Sequence, residues 1–104
     1  MSTLAIDIKA ARAVNVSVDV DTLVVDLEDG RTISIPLVWY PRLVHGTEQE
    51  RQNWRLIGKG DGIHWLDLDE DISVENLLSG KSSGESQRSF KEWLNARLEQ
   101  SGKS

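Results

Sequence analysis

A chain of 104 residues with 38% hydrophobic residues, 28% charged residues and a net charge of −5 has the composition of one globular domain. The acidic balance disfavours nonspecific nucleic-acid binding, because that binding needs lysine and arginine to neutralise phosphates. The chain has no cysteine, which excludes disulfides and thiolate chemistry. It also has no apolar run near the roughly 18 residues of a membrane span and no signal-peptide pattern at its start, so we expect a cytoplasmic protein.

The first half of the chain predicts an antiparallel meander of three strands. Apolar residues alternate with polar ones in three runs, namely Val14, Val16, Val18, Val20; Leu23, Val25, Leu27; and Ile33, Ile35, Leu37. The turn at Asp29-Gly30 sets the register of the second hairpin. A two-residue loop would place Asp26 on the apolar face, whereas a three-residue loop with left-handed Gly30 sets Val25 opposite Ile33. We therefore predict the longer, bulged loop.

The middle of the chain predicts short helices followed by extended chain. A helix can begin at Pro41, and the run from Thr47 to Glu50 forms a capping box that starts a second helical turn. Extended chain then runs from Trp54 to Trp65. Three glycines at a spacing of two interrupt it, which favours a bend or a hairpin.

Two further helices are predicted towards the end of the chain. Ser73 caps the first, and Gly80 provides its stop. A polar linker, residues 81–84, leads into a helix from about Glu85 to Gln100. Its amphipathic stripe consists of Phe90, Trp93, Leu94 and Leu98. This stripe must cover a surface of its own chain or of a partner.

These elements predict an α+β fold in which a small antiparallel meander of three to five strands packs with two or three short helices and a C-terminal amphipathic helix. Residues 1–12 form an N-terminal tail or an edge strand, because Leu4, Ile6 and Ile8 alternate with other residues. Residues 13–80 form the α+β domain, and residues 81–104 form the linker and C-terminal helix.

The most unusual segment places a histidine and a tryptophan beside four closely spaced carboxylates. Asp67, Asp69 and Asp71 match the first three ligand positions of a calcium-binding loop. The match then fails, because Ile72 replaces the glycine of the sharp turn and Leu78 replaces the bidentate glutamate. Carboxylates before a helix also stabilise the positive end of its dipole, and we favour this structural interpretation over metal binding.

No catalytic centre is recognisable. His64 has no companion nucleophile or second ligand, and the signatures of nucleophile elbows, phosphate loops and zinc helices are missing from the sequence. We predict no catalytic residue, no metal ligand and no cofactor. A metal-assisted enzyme using His64 and the Asp67–Asp71 cluster stays open as an alternative. A transcriptional regulator ranks last, because acidic residues offset the basic residues of the C-terminal helix.

Several motifs resemble DUF2442, a family of small bacterial proteins of unknown function. They are Trp39-Tyr40-Pro41-Arg42-Leu43, Glu50-Arg51, Gly62-Ile63-His64-Trp65 and the run from Asp69 to Gly80. The resemblance spans about residues 14–80 and departs at Leu66, where proline often follows the tryptophan. It implies an α+β fold with a small antiparallel sheet and no established activity. Some members resemble partners of adjacent small proteins in candidate toxin–antitoxin pairs.

The leading hypothesis is a non-catalytic protein-interaction module, of antitoxin type, that masks a small basic partner encoded nearby. A homo-oligomer is an open alternative. The residues predicted to interact are Trp39, Tyr40, Arg42, His64, Trp65, Asp67, Asp69 and Glu70. Asp71, two residues before Ser73, is instead predicted to cap the following helix.

Overall fold

The computed structural model describes residues 11–102 and confirms the α+β class. Six strands form two antiparallel sheets of three strands each, where the sequence indicated one meander. The predicted N-terminal tail or edge strand falls largely on residues 1–10, which lie outside the described residues, as do residues 103–104. Within the described part of the chain, no helix is both long and apolar enough to cross a membrane.

The elements follow one another in a simple order along the chain. The first sheet contains β1 (Ala13–Val18), β2 (Thr22–Leu27) and β3 (Thr32–Pro36). A 3₁₀ turn (Leu37–Trp39) and the helices α1 (Pro41–Val44) and α2 (Glu48–Gln52) lead to the second sheet. That sheet contains β4 (Trp54–Ile57), β5 (Gly62–Trp65) and β6 (Glu70–Ser73), and the helices α3 (Val74–Leu78) and α4 (Gln87–Gly102) follow it.

The predicted register of the second hairpin is confirmed. Val25 pairs with Ile33, and Gly30 adopts a φ of +98° in a three-residue loop. The first strand departs from simple alternation, because the pairing of β1 with β2 is irregular between Ala13 and Asn15. Val14 is therefore 53% exposed, and Ala13 enters the core in its place.

The strand β6 corrects the prediction for the acidic segment, which consists of residues 67–71. The carboxylates were expected at a helix start, but β6 pairs with β5 and sets Ile72 opposite Ile63 in the core. Asp71 lies in this strand beside His64 and does not cap α3. Ser73 does cap α3, because its hydroxyl accepts a hydrogen bond from the Asn76 N–H at 3.0 Å. Burial of Ile72 against its cross-strand neighbour explains why a strand forms here.

One hydrophobic core collects side chains from both sheets and from the short helices. The sheets also meet directly at Gly60, whose carbonyl accepts a hydrogen bond from the Ala13 N–H at 2.8 Å. Gly60 has a φ of +104°, and a Cβ at this position would lie 2.3 Å from the Ala13 carbonyl oxygen. Only glycine fits this junction. It therefore determines how the second sheet, which carries the acidic segment, joins the first.

Candidate functional site

Residues 66–71, called the acidic tip below, form the turn between β5 and β6 and the first two positions of β6. Leu68 anchors the tip in the core, where it packs so closely against Gly46 that a Cβ there would lie 2.8 Å from its Cδ1. Leu66 points outward and is 65% exposed. Asp69 turns the chain with a left-handed φ of +50°, which aspartate and asparagine adopt more readily than most residues.

The three aspartates of the acidic tip have separate contacts and do not converge on one point. Asp67 accepts a hydrogen bond from the Asn53 side-chain amide at 2.9 Å, and Asp71 contacts the His64 ring. Asp69 lies 3.9 Å from Arg42 Nη1. Among residues 11–102, no group of three or more His, Cys, Asp or Glu side chains is arranged to hold a metal ion. Each of these carboxylates therefore has its own contact in the described arrangement.

Arg42 was predicted as an interaction residue, but it joins three parts of the molecule internally. Its Nε donates to Glu85 Oε1 at 2.9 Å, and its Nη1 donates to the carbonyl oxygens of Leu68 and Asp69 at 3.2 Å each. This hydrogen bond from Arg42 holds the pKa of Glu85 below its usual range. Arg42 thus connects α1, the acidic tip and the segment that precedes α4.

Glu70, which was predicted as an interaction residue, is half-buried. It pairs in register with the buried Trp65, and burial raises its pKa to about 7. The nearby charges of Glu85, Asp71 and Asp69 raise this pKa further, and Arg42 opposes them. Glu70 therefore supplies less surface charge at neutral pH than the sequence suggested.

Replacing Glu70 with glutamine should stabilise the protein at pH 8 and leave it unchanged below about pH 4.5. Because the pKa of Glu70 is about 7 in the folded chain, against an ordinary value of 4.5, the unfolded chain releases this proton first. The free energy of unfolding therefore falls as the pH rises from 4.5 to about 7. Glutamine avoids the burial of charge, a gain on the order of 2 kcal/mol. Thermal melts of Glu70→Gln and wild type between pH 4 and pH 8.5 would measure the difference. A gain that is constant across this range would contradict the assignment.

Two of the aromatic residues named as candidates for interaction lie in the core. Tyr40 is buried and its hydroxyl donates to the Lys81 carbonyl at 2.9 Å. Trp65 is fully buried and its Nε1 donates to the Arg51 carbonyl at 3.0 Å. Internal partners therefore satisfy the polar atom of each ring, which removes both rings from any surface in this conformation. Trp39 is half-buried and lines a surface groove of about 390 Å³.

A second set of residues, not predicted from the sequence, lies where α4 meets the short helices. Arg97 donates to Glu50 at 2.7 Å, and the Trp93 ring lies 4.9 Å from the guanidinium carbons of both Arg42 and Arg97. Phe90 packs against His45 with ring centroids 5.3 Å apart. The spacing of Phe90, Trp93 and Arg97 on one helix face was the available signal. Their partners on α1 and α2 could not be read from it.

The fold and the acidic tip define the class of this molecule as a small α+β domain with two antiparallel sheets and a charged hairpin turn. The family described as Protein of unknown function (DUF2442) matches residues 13–83, and the chain belongs to this family. Among curated proteins, none matches the chain. A crystal structure of a protein of unknown function from Rhodospirillum rubrum ATCC 11170, at 2.75 Å resolution, is similar at 28% identity and a TM-score of 0.64, covering 74% of this chain and 95% of that chain.

The family match includes the acidic tip but not the helix α4. Residues 13–83, called the family core below, include the whole acidic tip. The helix α4 begins at Gln87 and lies outside the matched region. The acidic tip is thus part of the family domain, whereas α4 is attached after it.

Proposed function

We propose that this protein is a non-catalytic interaction module, antitoxin-like, whose acidic tip binds a small basic protein encoded nearby. The observation that carries the proposal is the composition of the tip. An exposed leucine, Leu66, lies among three exposed carboxylates, those of Asp67, Asp69 and Asp71. An apolar centre within a polar rim is the usual anatomy of a protein interface.

The charges of the acidic tip are available to a partner. The side chain of Asp69 is 87% exposed and that of Asp71 is 68% exposed. Arg42 is the nearest guanidinium in the described ion pairs, and its strongest contact is with Glu85. Together with a net charge of −5, the tip favours a basic partner and speeds its association at low salt.

The alternatives have less support. A metal-assisted enzyme needs converging ligands, but Asp67 and Asp71 contact Asn53 and His64 separately. A nucleic-acid-binding helix needs free basic side chains, but Arg97 pairs with Glu50 across the junction between α4 and α2. Neither alternative gains an observation in its favour.

The test is an affinity measurement with the product of the adjacent gene, co-expressed and purified together with the full chain. Replacing Asp67, Asp69 and Asp71 with asparagine should weaken this complex at least tenfold at low salt, because each lost charge removes attraction to the basic partner. Asparagine keeps the left-handed turn at position 69 and the polar contacts of the other two positions. Calorimetry or surface plasmon resonance would give the dissociation constants.

A charge-matched control separates local contact from total charge. Asp19→Asn, Asp21→Asn and Glu28→Gln change the net charge by the same amount at turns of the first sheet. At about 0.15 M salt this control should bind within about threefold of wild type, because charges more than about 8 Å from the contact are largely screened there. Equal weakening by both triple variants, or no complex with the adjacent gene product, would refute the proposed function.

A further inference from the structure

The helix α4 contacts the family core through a few side chains of one face. Phe90, Trp93, Leu94 and Arg97 are half-buried, and none of the side chains described on α4 is fully buried. Leu98, which the amphipathic stripe included, is 62% exposed. This burial is small for a helix of 16 residues, so α4 contributes far less to the core than the strands do.

Open surface clefts border the contact between the family core and the segment that carries α4. One groove of about 390 Å³ is lined by Phe90, Val38 and Trp39. A second cleft, of about 330 Å³, lies beside Glu50 and Arg97. A third, of about 400 Å³, is lined by Ser89 and by residues of the acidic tip. The helix therefore covers only part of the surface on which it lies.

The surface beneath α4 has a definite chemistry. Arg42 offers a guanidinium face to an aromatic ring, His45 offers a ring edge, and Glu50 offers two carboxylate oxygens to a basic side chain. In α4 these positions receive Trp93, Phe90 and Arg97 respectively. The surface therefore selects a helix with aromatic residues three positions apart and a basic residue four positions after the second.

We propose that the surface formed by Arg42, His45 and Glu50 is a docking site for a basic amphipathic helix of the partner, and that α4 occupies this site as an intramolecular competitor. The identity of the partner rests on the proposed function, whereas the site rests on the contacts of α4. Arg42 also donates to the carbonyl oxygens of Leu68 and Asp69, so the docking site is continuous with the acidic tip. A basic partner can therefore contact both surfaces together.

The attachment of α4 gives it a competitive advantage over a free helix. The linker ends at an anchored point, because Glu85 pairs with Arg42 and the Ser83 N–H donates to the Trp39 carbonyl at 3.0 Å. A short tether holds a ligand at an effective concentration on the order of millimolar. A free copy of α4 should therefore bind poorly to the wild-type chain and better to a chain whose own α4 has been released.

The experiment uses a synthetic peptide of residues 86–102 and the full chain labelled with ¹⁵N. In one host, Phe90→Ala and Trp93→Ala remove the aromatic contacts of α4 and leave the receiving surface intact. The peptide should shift the amide resonances of Arg42, His45 and Glu50 in this host, with an affinity at least tenfold higher than for wild type. A host with Arg97→Gln tests the same point with a milder change.

Two controls accompany this experiment, one in the host chain and one in the peptide. The host Lys91→Ala, changed at an exposed position of α4, should behave as wild type, and a peptide carrying Trp93→Ala should not bind. Equal binding to released and wild-type hosts, or the absence of peptide-induced shifts at these residues in every folded host, would overturn the proposal. Peptide binding combined with failure of the acidic-tip experiment would refute the proposed function and leave this helix site standing.

Discussion

Replacing Gly60 with alanine should be among the most damaging single changes in this chain, with a loss of about 3–5 kcal/mol in the free energy of unfolding. Two causes add. The added Cβ would lie 2.3 Å from the Ala13 carbonyl oxygen, and alanine would have to hold a φ of +104°. Because a domain of this size is stable by only about 5–15 kcal/mol, a large part of its stability would be lost. Urea denaturation followed by circular dichroism would measure the change.

Gly30→Ala is the matched control, since Gly30 has a similar φ of +98° but no atom within 4 Å of an added Cβ. It should cost only about 1 kcal/mol, the conformational part of the effect. Similar losses for both variants would show that the close approach of Gly60 to Ala13 contributes nothing.

Truncating Trp65 to alanine should destabilise the protein by about 3–5 kcal/mol, because the indole is fully buried and its removal leaves a cavity. The change also leaves the Arg51 carbonyl without its donor. Trp54, the cross-strand neighbour of Trp65, is only half-buried, so Trp54→Ala should cost about half as much or less. Thermal and urea unfolding of both variants would make the comparison. A Trp65→Ala protein of normal stability that loses partner binding would return Trp65 to the interaction surface.

Local sequence signals predicted much of the fold. Alternation and Gly30 indicated the register of β2 and β3. A capping box located the helix start at Thr47, and an N-cap serine located the one at Ser73. These signals work because a turn or a cap involves residues close together in the chain. The bulge in β1 and the short strand β6 escaped prediction, because both depend on pairing between strands rather than on local preference.

The site was harder to predict than the fold. The apolar neighbours of Trp65 favour a place in the core, but nothing local shows that its Nε1 donates to the Arg51 carbonyl. The pKa of Glu70 likewise depends on the charges of Arg42 and Glu85, which belong to distant parts of the chain. Asp67 and Asp69 could be recognised because charged residues in a turn are usually exposed.

Amide hydrogen exchange of the full chain, measured free and in complex with the basic product of the adjacent gene, tests directly whether the acidic tip binds this partner. We expect slower exchange across residues 66–71, where the acidic tip becomes covered. We also expect faster exchange across residues 87–102, because the partner displaces α4 from Arg42, His45 and Glu50. Unchanged exchange at residues 66–71 in a complex that protects other parts of the chain would show that the acidic tip does not bind the partner.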